Sequence, residues 1–122
     1  MVIMLQTVLI TAALFIAVFV LGFLLRRSGK PYSGLLLTAH KLISLAVLIL
    51  FILTVNRINT ATPLASAALA AAMFTGVLFV VAIVSGGLAS TDKPAPAIAL
   101  TLHRITPFVT IAGAAATFFF LP

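Results

Sequence analysis

The sequence predicts an all-α integral membrane protein, a four-helix up-down bundle, and three observations carry that prediction. The chain of 122 residues is 64% hydrophobic and 7% charged, with a mean hydropathy of +1.39, too apolar to keep its surface wetted as a compact soluble domain. It contains four apolar runs, each close to the roughly 20 residues that a helix needs to cross a bilayer core of about 30 Å. None of them alternates apolar and polar residues, the pattern of a transmembrane β-barrel.

The first run, about 2–25, lacks a basic leading segment and is followed by Arg26-Arg27 instead of a small-residue cleavage site. It is therefore expected to stay as a helix and not to be removed as a signal peptide. The second, about 33–55, opens after Lys30-Pro31-Tyr32 and closes at Asn56-Arg57; the third, about 64–88, opens after Pro63 with an alanine-rich stretch at 67–72. The fourth, about 96–121, contains Pro107 and a second small-residue stretch at 113–116. Such stretches allow close helix approach, within the chain or in a homo-oligomer. The connections, 26–32, 56–63 and 89–95, are short, so consecutive helices are expected to be antiparallel neighbours with no room for an extramembrane catalytic module. The whole chain is read as one four-span domain.

Lys and Arg are retained on the cytoplasmic side of a membrane. Arg26, Arg27, Lys30 and Lys41 flank the first connection, Lys93 and Arg104 the third, and Arg57 alone lies at the second. That bias predicts a multi-pass protein of the cell inner (cytoplasmic) membrane with both termini outside and loops one and three cytoplasmic. The sequence pI near 11.6 does not indicate nucleic acid, because the cations are spread along membrane borders where topology and anionic headgroups account for them. With no cysteine, thiolate metal sites, disulfides and covalently attached haem are excluded.

The chain also repeats itself. Lys30-Pro31 recurs as Lys93-Pro94, and Leu37-Thr38-Ala39-His40-Lys41-Leu42 as Leu100-Thr101-Leu102-His103-Arg104-Ile105, 63 positions on. A fainter match at an offset of 64 relates Gly22-Phe23-Leu24 to Gly86-Gly87-Leu88. This predicts two parallel copies of a helix pair, about 1–62 and 63–122, in which the two histidines of the chain take equivalent places.

An ionisable side chain inside a span is costly and usually faces the bundle interior with a task. Each histidine lies about seven residues into its helix, or about 10 Å from the end. In a bundle with neighbours 8–10 Å apart, diagonal helices 2 and 4 stand about 11–14 Å apart, too far for a direct contact between imidazoles. That spacing suits a metal flanked by two imidazoles, and two protein ligands without a carboxylate point to haem b between helices 2 and 4. His40 and His103 are the expected axial ligands of the iron; the competing reading of the pair is two core histidines hydrogen-bonded to backbone or to Ser/Thr. Lys41 and Arg104 are candidates for the propionates, and Gly22 and Gly86 for close approach to the ring. Pro107, four residues after His103, cannot donate to its carbonyl. Ser44, Thr106 and Thr110 are expected to satisfy helix backbone or line the pocket, and Tyr32 to anchor the interface.

Four spans with this histidine pair resemble the small b-type membrane cytochromes, the b561-like four-helix haem proteins. The resemblance implies electron transport by a bis-histidine haem b. Many members carry four ligand histidines for two haems, whereas this chain has two, so a quinone or a redox partner subunit would have to complete the path.

Competing readings are an accessory subunit of a larger membrane complex and a small four-helix transporter or channel. Proton-coupled export needs an intramembrane carboxylate, and the sole acidic residue, Asp92, falls in a connection. No nucleophile triad, carboxylate pair or phosphate-binding loop is present, so electron transfer is favoured over enzymatic catalysis.

Overall fold

The computed structural model describes residues 2–121 and contains α1 (Val2–Ser28), α2 (Gly34–Ala61), α3 (Ser66–Ala89) and α4 (Ala97–Phe119), with no strand among the described residues. All four helices are long and apolar enough to cross a membrane. At 1.5 Å per residue they measure about 34–42 Å, and each exceeds the hydrocarbon core.

The helices do not end where the apolar runs end. α1 continues through Arg26, Arg27 and Ser28 until Gly29, whose φ of 70° is a left-handed conformation that glycine takes without a Cβ penalty. Its N–H donates to the Leu25 carbonyl at 3.1 Å, closing the last turn. α2 likewise runs on to Ala61, past the polar Asn56, Arg57, Asn59 and Thr60, and stops only where Pro63 cannot continue it. The first two connections shrink accordingly, to residues 29–33 and 62–65, while the third, 90–96, keeps its expected length.

The chain divides into two compact units, Met1–Leu50 and Phe51–Pro122. In the first, α2 returns beside α1, and Thr11, Leu25 and Val47 are buried. In the second, the C-terminal part of α2, from Phe51, joins α3 and α4. Ala68, Ala72, Thr75, Phe79 and Ser85 form the buried face of α3, and Ala99, Thr106, Thr110, Ala114 and Thr117 that of α4. Spacings of three, four or seven, which all but Phe79 to Ser85 follow, mark one helix face, and the Ala, Ser and Thr side chains on it let the backbones close up. Gly113 shows how closely: a Cβ there would lie 2.5 Å from the Thr75 hydroxyl. Phe51 fills the wider end, with its ring centroid 5.6 Å from that of Phe79 and 6.0 Å from that of Phe118.

The buried hydroxyls are spent locally. Thr75, Thr110 and Thr117 each donate to the carbonyl four residues back, at 2.8, 2.8 and 2.9 Å. Without water in the hydrocarbon layer, a polar group must find such a partner inside the protein.

Candidate functional site

Both histidines occupy the seventh position of their helices, His40 in α2 and His103 in α4, and both are half-buried. Each reaches across to the preceding helix. In the first unit, His40 Nδ1 lies 3.1 Å from the carbonyl oxygen of Val18 on α1. In the second, His103 Nδ1 lies 2.9 Å from the carbonyl oxygen of Ala82 on α3. A carbonyl oxygen only accepts, so Nδ1 must carry the proton in both rings. The neutral imidazole then holds its lone pair on Nε2.

The glycines explain how a side chain reaches a helix carbonyl from outside. In an α-helix the carbonyl of residue i points towards residue i+4, whose Cβ would obstruct the approach. Four residues after Val18 stands Gly22, and four after Ala82 stands Gly86. A Cβ on Gly22 would lie 3.2 Å from His40 Cε1 and 3.7 Å from Nδ1. One on Gly86 would lie 2.5 Å from His103 Cε1, 2.8 Å from Nδ1 and 3.2 Å from Nε2. The space at each glycine, expected to let a haem ring approach, is taken by the imidazole of the neighbouring helix. Gly87, by contrast, has nothing within 4 Å of its missing Cβ and takes no part in the clamp.

The two clamps differ in their surroundings. Ser85 is buried, and its hydroxyl lies 2.6 Å from the Val81 carbonyl and 3.2 Å from the Ala82 carbonyl that holds His103. The matching position on α1 is Leu21, which donates nothing. On the carboxyl side, Ser44 Oγ donates to the His40 carbonyl at 2.7 Å. The residue 63 positions on is Pro107, which has no N–H to give to the His103 carbonyl, and α4 runs on through it. Ser44 and Thr110 thus satisfy helix backbone, as expected from their spacing.

Lys41 and Arg104 are exposed. Lys30 lies with its ammonium 5.8 Å from the centre of the Tyr32 ring, a cation–π contact at the connection between α1 and α2. No group of three or more His, Cys, Asp or Glu gathers among the described residues. Any metal held here takes at most two such side chains.

No known family, curated protein or solved structure matches this chain. The functional reading therefore rests on the site. Sequence reasoning reached the histidines and glycines, and backbone bonding as one role for the histidines, but not which carbonyls, those of Val18 and Ala82, because every residue type carries one alike. The one available clue was that each glycine follows its acceptor by a single helical turn.

Proposed function

We propose that this protein is a b-type cytochrome of the cell inner membrane, an electron-transfer protein with His40 and His103 as the axial ligands of one haem b. The observation that carries the reading is the recurrence of one clamp at both histidines of the chain: Nδ1–H donated to a backbone carbonyl, beside a glycine one turn further on. Metal-binding histidines characteristically donate the second ring nitrogen in this way, which fixes the tautomer, orients the ring and raises the basicity of Nε2. Haem supplies four nitrogens of its own and a reversible one-electron couple, so it asks the protein for two ligands, the number present. Lys41 and Arg104, each next to a ligand, are the cations proposed for the propionates. The proposed topology puts both termini outside, and a quinone or redox subunit would exchange electrons with the centre.

The test is an optical spectrum of protein purified from haem-replete cells, before and after dithionite. The proposal expects a Soret band with a sharpened α band on reduction, both lost in His40→Ala and in His103→Ala. Colourless wild-type protein, with the two variants merely less stable, would assign the histidines to helix packing and the chain to an accessory role.

A further inference from the structure

We infer that the end of α1 binds the phosphate of an anionic phospholipid through Arg26 and Arg27. Both guanidiniums are exposed and lie in the last turn of a membrane-spanning helix, at the depth of headgroups. Helix-end cations can cap the last carbonyls; at the end of α1 the Ser28 hydroxyl takes part in that role. The Leu25 carbonyl already receives the Ser28 hydroxyl at 3.0 Å and the Gly29 N–H at 3.1 Å. No carboxylate side chain occurs anywhere before Asp92, so the first helix pair contains no acidic side chain to neutralise them. The counter-charge must come from outside the pair, and beside a helix end in a bilayer the abundant anion is a lipid phosphate. Arginine suits it, since its planar fork makes paired hydrogen bonds to phosphate oxygens.

The second helix pair supplies the contrast. The positions matching Arg26 and Arg27, 64 residues on, are Ser90 and Thr91, followed by Asp92. Their hydroxyls cap α3 by donating to the carbonyls of Gly87 and Leu88 at 2.8 and 2.9 Å. Both helix ends carry hydroxyl caps, Ser28 on α1 and Ser90 and Thr91 after α3, but α1 adds two arginines where α3 is followed by Asp92.

The experiment is native mass spectrometry of the full chain released from vesicles of equimolar phosphatidylglycerol and phosphatidylcholine. Wild type is expected to retain phosphatidylglycerol in excess, by about fivefold for each cation engaged. R26Q/R27Q should abolish the excess, whereas R57Q/K93Q, which removes the same charge elsewhere, should leave it. R26K/R27K preserves the charge that governs insertion but lacks the fork, and its retention should fall severalfold. Equal loss in R26Q/R27Q and R57Q/K93Q would overturn the assignment, as would retention without headgroup preference. Displacement of the lipid by inorganic phosphate at constant ionic strength would overturn the lipid as occupant. None of these outcomes depends on haem, so the proposal stands or falls apart from the cytochrome reading.

Discussion

Replacing Gly86 with Ala puts a methyl carbon where His103 already lies. Carbon atoms pack at about 3.5–4.0 Å, and the new Cβ would start 2.5 Å from His103 Cε1, so the ring must retreat by roughly 1 Å. The Nδ1···O distance of 2.9 Å would then open to about 3.9 Å, beyond hydrogen-bond range. Losing that bond costs about 1 kcal/mol, and overpacking adds about 1–3 kcal/mol. The helix gains back about 1 kcal/mol from exchanging Gly for Ala, leaving a net loss of about 1–3 kcal/mol. At Gly22 the nearest ring atom is 3.2 Å away, so a retreat of about 0.3 Å restores contact. His40 keeps its bond there, and the helix gain cancels the strain to within about 0.5 kcal/mol. The assay is denaturant unfolding in detergent, paired with nitrogen NMR of the imidazoles, which reports whether Nδ1 or Nε2 carries the proton. Gly86→Ala should lose stability and the single tautomer of His103, while Gly22→Ala keeps both for His40. If the cytochrome reading holds, Gly86→Ala also lowers haem affinity by about 10–100-fold. Equal behaviour of the two variants, or an unperturbed His103 in Gly86→Ala, would refute the steric argument.

Other positions give further tests. Gly113→Ala meets the Thr75 hydroxyl at 2.5 Å and should cost about 1–3 kcal/mol in the same unfolding assay. Phe51→Ala empties the space against Phe79 and Phe118; because lipid is as apolar as the core, the loss is of packing alone, on the order of 2 kcal/mol. Asn59→Ala removes the side-chain oxygen that accepts the Leu64 N–H at 3.0 Å, with an expected loss of about 1 kcal/mol and faster amide exchange at Leu64. Thr75→Val keeps the shape and gives up a bond to its own helix and a long 3.5 Å contact with the Thr117 hydroxyl, so stability should fall by about 1 kcal/mol.

The helices were legible in the sequence because the bilayer imposes a length, and four apolar runs met it. Their ends were less so, because apolarity does not stop a helix. Gly29 ends α1 three residues beyond the apolar run, and Pro63 lets α2 carry polar residues as far as Ala61. The histidines stood out as polar residues in register, and the structure puts both at the seventh helical position. What they touch was hidden, because the acceptors are backbone atoms of Val18 and Ala82. Glycine was readable as room for a ring, but not as room for the histidine itself.

That each clamp closes inside one hairpin also bears on the order in which the chain is made. Val18 and His40 are both synthesised before the first residue of α3, so the bond that sets the His40 proton can form while the second half is still on the ribosome. The same holds for Ala82 and His103 once α4 emerges. Each hairpin can thus enter the membrane with its imidazole already committed to one nitrogen, and under the proposed cytochrome reading a haem arriving later would meet ligands whose orientation has been settled in advance.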